Sequence, residues 1–225
     1  MSFDDPQAVA SYAQGPARLV PGFEALQRMA ALLLEESVPV DGRVLVVGAG
    51  GGLELKVFAD RQPGWRFAGV DPSREMLSLA RSTLGVQAGR VDFHEGYVDT
   101  APAGPYDAAT CLLTLHFVEP GERLATLGQI RRRLWPGAPL VVAHHSFPQS
   151  GPDKARWLER YAAFAIGSGV PAANARKAIE AIARQLPVLP PDKDEALLRR
   201  AGFERVEQFY AGFTFRGWVG LNAGP

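Results

Sequence analysis

Along the first two thirds of the chain, short apolar runs alternate with stretches whose apolar residues recur every three or four positions. Runs that are apolar at nearly every position mark strands buried on both faces, and a 3.6-residue period marks the helices that cover them. Phe23, Leu26, Ala30, Leu33 and Leu34 form one stripe, which predicts a helix ahead of the first strand. Strands are predicted at Arg43 to Val47, Trp65 to Val70, Val91 to His94, Ala108 to Leu113 and Pro139 to Ala143. Leu124, Leu127, Ile130 and Leu134 predict a further helix, which Trp135-Pro136-Gly137 stops because proline cannot continue it. Strands alternating with helices imply a parallel sheet linked by crossovers.

After His145 the pattern changes. Ser146 to Pro191 reads as two helices separated by Gly169-Val170-Pro171, an inserted cap. A helix near Asp194 to Ala201 follows, then FERVEQFYAGFTFRGWVGL, two alternating runs joined at Ala211-Gly212 as an antiparallel hairpin. The expectation is one α/β domain over residues 1–225, with residues 1–37 as an N-terminal helical lid and 146–191 as a helical cap.

Composition narrows the function classes. A chain of 225 residues with 47% hydrophobic content can bury the core of one domain. Lys plus Arg equals Asp plus Glu at 24 each, so the basic excess that phosphate-tracking proteins use is absent and a nucleic-acid partner is not expected. Cys111 is the only cysteine, which excludes an internal disulfide and a cysteine zinc cage, and fits a reducing compartment. MSFDDPQAVA has no apolar signal core, and no apolar run reaches the roughly twenty residues that span a bilayer. A soluble, cytoplasmic protein without a membrane partner is therefore expected, with a homodimer left open.

The chemistry is concentrated in VLVVGAGGGLE, Val44 to Glu54, where a buried strand runs through glycines into a helix starting near Leu53. Glycines let the chain turn sharply and a ligand approach the backbone, and the helix N-terminus offers unpaired N–H groups. Gly48, Gly50 and Gly52 spell G-x-G-x-G, whereas the dinucleotide fingerprint G-x-G-x-x-G would need a glycine where Leu53 stands. A nicotinamide-dependent oxidoreductase is thereby disfavoured. Asp71 ends the second predicted strand, 19 residues beyond Gly52, where a carboxylate can accept hydrogen bonds from both hydroxyls of a ribose. The plainer alternatives are a glycine loop without a ligand and an aspartate that caps the helix after Pro72-Ser73.

These segments resemble the class I S-adenosylmethionine-dependent methyltransferases from about Val20 onward. VLVVGAGGG looks like the family's first motif, GVDPS with Met76 like the second, and HEGYVD like the third, which faces the adenine. YDAATCLLTLHFV resembles the fourth, and LWPGAPLVV the motif leading into strand five. The resemblance implies a Rossmann-like, seven-stranded, mostly parallel sheet of order 3-2-1-4-5-7-6 with helices on both faces. It also implies S-adenosyl-L-methionine as cofactor and methyl transfer to a small-molecule acceptor. By the same resemblance Gly48, Ala49, Gly50, Gly52, Asp71, Pro72, Met76, Tyr97, Val98 and Leu112 would contact the cofactor. Three positions depart from the pattern: Val46 and Tyr97 stand where acidic residues are usual, and Leu112 where a polar one is often seen. These departures leave a non-catalytic binder of the cofactor as an alternative.

A narrower resemblance, to the carboxy-S-adenosylmethionine synthases, rests on VPGF at 20–23, TLHFVEPGER at 114–123 and AGFERVEQFYAGFTFRGWVGLNA at 201–223. It implies an arginine that grips a carboxylate, a position Arg176 matches. Gly50 and Leu112 replace that group's loop serine and strand-four asparagine, which makes synthase activity the second reading.

For methyl transfer a base is needed only if the acceptor arrives protonated. His116 and His144 follow strands four and five, at the strand ends where ligands of open α/β sheets sit, and are the candidate catalytic residues. Phe23, Trp157, Tyr161 and Arg176 are candidate substrate contacts, although the spacing of Trp157, Tyr161 and Phe164 also suits a helix core. No spacing suggests metal ligands.

Overall fold

The computed structural model describes residues 15–224. Its centre is a seven-stranded sheet of order β3-β2-β1-β4-β5-β7-β6. The strands are β1 Arg43–Val47, β2 Arg66–Asp71, β3 Val91–Glu95, β4 Ala108–Leu112, β5 Pro139–His145, β6 Phe203–Gly212 and β7 Phe215–Asn222. Strands β1 to β5 run parallel, and β7 pairs antiparallel with both β5 and β6. The helices are α1 Gly15–Leu19, α2 Phe23–Glu35, α3 Leu53–Arg61, α4 Arg74–Leu84, α5 Pro120–Arg131, α6 Gly151–Gly167, α7 Ala172–Gln185 and α8 Pro191–Arg200. None of them is long and apolar enough to cross a membrane. Of the expected lid, residues 1–14 lie outside the described residues, and 15–37 hold α1 and α2.

The apolar run of β1 has a direct structural cause. Val44 and Val46 join one hydrophobic cluster, and Leu45 and Val47 join the other, on the opposite face of the sheet. A strand covered on both sides must be apolar at every position, because side chains alternate between faces. The same alternation sends Val141 and Ala143 of β5 to the first cluster, and Leu140 and Val142 to the second.

Helices α6 and α7 pack on each other and bury Ala162, Ala165, Ala175, Ile179 and Ile182 in the cluster that also takes Leu26, Ala30 and Leu34 of α2. Tyr161 of α6 meets His145 of β5 and Phe215 of β7, which sets this pair of helices against the sheet.

The terminal hairpin turns at Phe213-Thr214, two residues later than Ala211-Gly212. Phe213 adopts the left-handed conformation at φ 48°. Gly212 answers a different need: a Cβ there would stand 2.4 Å from the Tyr210 hydroxyl, which donates to the Pro21 carbonyl at 2.5 Å.

Gly52 ends the glycine loop at φ 70° and caps α3, and a Cβ would meet the Ala80 backbone of α4 at 2.8–2.9 Å. Here a missing side chain sets how closely two helices approach. Gly52→Ala is expected to lower stability by about 1–3 kcal/mol, read as a lower urea midpoint with an unchanged slope.

Candidate cofactor and active site

A cavity of about 770 Å³ opens at the C-terminal ends of β1, β2 and β4, where β1 has neighbours on both sides. Open α/β sheets bind ligands at this end because the loops leaving adjacent strands part there. Its floor is the glycine loop. Gly48 and Ala49 donate their N–H groups to the Val70 carbonyl at 2.8 and 3.0 Å, Gly51 to Met76 O at 3.0 Å and Gly52 to Ala49 O at 3.2 Å. Gly50 N–H goes to Asp71 Oδ2 at 3.0 Å, while Asp71 Oδ1 accepts from Ser73 N at 2.9 Å. The loop is therefore held by its own amides and by Asp71, and Leu53 and Glu54, in the first turn of α3 where N–H groups lack a partner within the helix, line the cavity. A carboxylate has acceptor sites for about four donors, so bracing the loop and binding a diol are compatible.

Two glycines are required by close approach. At Gly48, φ is 79° and a Cβ would stand 1.9 Å from Thr114 Oγ1; at Gly50 it would stand 2.6 Å from Asp71 Oδ2. On the facing side, Leu113 takes a left-handed φ of 56°, which turns the end of β4 along the cavity wall. Such a conformation costs a non-glycine residue roughly 1–3 kcal/mol and tends to persist at ligand sites.

Among the residues expected at the cofactor, Gly48, Gly50, Asp71, Pro72, Met76, Tyr97, Val98 and Leu112 line this cavity. Ala49 and Gly52 sit behind the loop, Ala49 buried in the core and Gly52 against α4. Phe23 lines the cavity from α2, beside Leu26 and Gln27. The other substrate candidates do not reach it. Trp157 lies beside the guanidinium groups of Arg160 and Arg216, Tyr161 packs edge-on to His145, and Arg176 pairs with Glu159 on the exposed side of the α6–α7 layer.

The two candidate histidines are buried and point away from the cavity. Strand alternation points His144 into the second cluster, against Trp218 and 3.3 Å from Asp194 Oδ2, and His145 into the first, stacked on Phe215. His116 turns inward on the short 3₁₀ segment Leu115–Phe117, where its Nδ1 accepts the His145 N–H at 3.3 Å. Burial, with His145, His144 and Arg123 nearby, holds its pKa well below the usual histidine range. Neither His116 nor His144 is among the residues lining the cavity.

The sequence reading missed Glu54, which lines the cavity from the first turn of α3 at 8% exposure. Its Oε1 accepts a hydrogen bond from Thr110 Oγ1 at 2.7 Å. Burial pushes its pKa up to about 8, against the opposing effect of the Thr110 bond. A glutamate in a helix's first turn ordinarily reads as a solvated partner of the helix dipole; the missed signal was threonine in the midst of an apolar strand.

The model of the methyltransferase domain matches residues 44–137. The carboxy-S-adenosyl-L-methionine synthase of Chromohalobacter salexigens is 30% identical, over 98% of this chain and 83% of that protein. The chain belongs to the class I S-adenosylmethionine-dependent methyltransferase family. The methyltransferase shares its fold with an O-methyltransferase family protein from Burkholderia thailandensis at TM-score 0.67 and 17% identity, covering 98% of this chain and 61% of that one. Human N-acetylserotonin methyltransferase, solved with S-adenosylmethionine, superposes at TM-score 0.59 and 17% identity, covering 100% of this chain and 61% of that one. The methyltransferase spans under two thirds of these two structures. S-adenosylmethionine is its cofactor, and the cavity fits that molecule. Glycines without room for a Cβ form its floor, a strand-end carboxylate is placed for a ribose, and the charged side chains lining it are carboxylates, suited to a sulfonium and an ammonium.

Proposed function

We propose that the enzyme transfers the cofactor's methyl group to a small-molecule acceptor that brings no carboxylate to the reacting centre. The observation that carries this reading is the charge of the cavity. Asp71, Asp99, Glu119 and Glu122 line it, beside a Glu54 that burial keeps protonated below about pH 8, and among the described residues no Lys, Arg or His does. Residues 1–14 contain none of the three either. An anionic acceptor would meet like charge there without a compensating cation, which disfavours it.

When bound, the cofactor supplies an activated methyl group and its own leaving group. The chain's part is placement. Asp71 holds the ribose hydroxyls, Gly48, Ala49, Gly50 and Gly52 shape the bed for the amino-acid end with Leu112 of β4 beside it, and Pro72, Met76, Tyr97 and Val98 enclose the base. Phe23, Leu26 and Phe117 add apolar wall that excludes water and orients the acceptor, and orientation of this kind contributes on the order of 7–11 kcal/mol in favourable cases. Because no histidine among the described residues lines the cavity, an acceptor atom that already carries a lone pair at neutral pH suits the site.

The second reading, a carboxy-S-adenosylmethionine synthase-like activity, is favoured by the named relative that matches 98% of the chain. A carboxylated product calls for a cationic partner, ideally a guanidinium. Arg176, the candidate for that role, is tied to Glu159 away from the cavity. Mass spectrometry of the nucleoside that co-purifies with the protein separates the two. S-adenosylmethionine or S-adenosylhomocysteine is expected, and a carboxylated cofactor would overturn the methyl-transfer reading.

A further inference from the structure

Asp71 and Glu54 both line the cavity, associated with strands on either side of β1. Asp71 ends β2, on one side of β1, while Glu54 is hydrogen-bonded to Thr110 of β4, on the other side. With the ribose held at Asp71, the cofactor's amino-acid end would fall to residues on the β4 side of β1, where Glu54 and Thr114 line the cavity with Gly48, whose backbone lies against Thr114. Glu54 Oε1 is bound by Thr110, and Oε2 accepts no hydrogen bond among the described residues. Val46, on β1, pairs with Thr110 in the sheet register, so this part of the floor has no carboxylate from a strand. We propose that Glu54 is the specificity-determining residue for the amino-acid end of the cofactor, its Oε2 accepting from the cofactor's ammonium group. The inference rests on the identity of the cofactor and is independent of the acceptor.

Burial works against an ionised Glu54, and an arriving cation works for it. In the ligand-free protein the carboxyl is protonated below about pH 8, so binding draws out its proton. Affinity for a ligand with the amino group therefore rises with pH toward 8, and binding releases a proton. The other titratable groups near it leave this window clear. Cys111 on β4 stays neutral because burial, reinforced by the charge of Glu54, pushes its thiol up to about 12. Lys56, on the same helix, is exposed and paired with Asp60. Gln27 of α2 carries no charge, and Asp71 stands beyond β1.

The test uses two probes, S-adenosylhomocysteine and 5′-methylthioadenosine, which lacks the amino-acid end. Calorimetry at pH 6.5 to 8, in buffers of different ionisation enthalpy, reads affinity and proton release together. The wild-type enzyme is expected to release a proton on binding S-adenosylhomocysteine, and none on binding methylthioadenosine. Glu54→Gln is expected to weaken S-adenosylhomocysteine roughly 10- to 100-fold at pH 8, to abolish the proton release and to leave methylthioadenosine unchanged. Equal affinities in variant and wild type, or an equal loss for both probes, would overturn the assignment. If the variant does not fold, the wild-type measurement decides alone: binding of S-adenosylhomocysteine without proton release overturns the proposal.

Discussion

Asp194→Ala is expected to destabilise the enzyme by about 3–5 kcal/mol, read from the urea midpoint at pH 7, because it leaves a buried guanidinium without its counter-charge. Arg123 and Asp194 are both almost wholly buried, and Arg123 Nη1 donates to Asp194 Oδ1 at 3.0 Å. Arg123 Nε donates to Val118 O at 2.9 Å and Nη2 to the Pro187 carbonyl, so one side chain joins α5, α8 and the segment between α7 and α8. His144 Nε2 stands 3.3 Å from Asp194 Oδ2, near enough for an ion pair but not aligned as a hydrogen bond. Burial works to raise the pKa of Asp194, and it is outweighed by His144, Ser146 and Arg123, which hold it below the usual aspartate value. The stabilisation is therefore present above the unfolded pKa and lost as pH falls through the folded one. Asp194→Ala should flatten the acid limb of the stability profile. The double variant Arg123→Met with Asp194→Leu should recover much of the loss, since apolar packing can replace a buried pair. A single variant as stable as wild type would show that the pair is not what joins these elements.

Asp71→Ala should have the largest effect on function. It removes the acceptor for two backbone donors, Gly50 N–H and Ser73 N–H, together with the carboxylate placed for the ribose. Unmaking hydrogen bonds to a charged group at about 1.5–3 kcal/mol each predicts at least a 100-fold loss of S-adenosylhomocysteine affinity, with turnover lost in parallel. Stability should fall by about 2–4 kcal/mol as the loop amides lose their partner. Asp71→Asn keeps one acceptor oxygen and should fall between. Undiminished affinity in Asp71→Ala, measured by calorimetry, would remove Asp71 from the cofactor site and with it the orientation given to the cofactor.

Features legible in the sequence were those whose cause is local. The strand Val44–Val47 announces itself because both its faces are covered, and the stripe from Phe23 to Leu34 because one face of α2 is. The glycine loop was legible since close approach at Gly48 and Gly50 tolerates no side chain. Gly212 shows the limit of that reasoning: glycine there answers the Tyr210 hydroxyl rather than the turn, which Phe213 makes. His116 and His144 were expected near strand ends, yet their direction depends on a 3₁₀ turn after β4 and on the pleat of β5. Alternation along β5 alone would have sent His144 and His145 to opposite faces.

Periodicity and turn chemistry, both written within a few residues, determined where the strands and helices fall along the chain and where the glycine loop sits, while the order of the strands was implied by the resemblance of the motifs. Only the tertiary structure decided which polar groups meet. Glu54 and Thr110 are separated by 56 residues, and Arg123 and Asp194 by 71. Whether a carboxylate is a solvated surface charge or a buried one depends on what the fold lays over it, and burial is a property of the assembled layers rather than of any local stretch of chain.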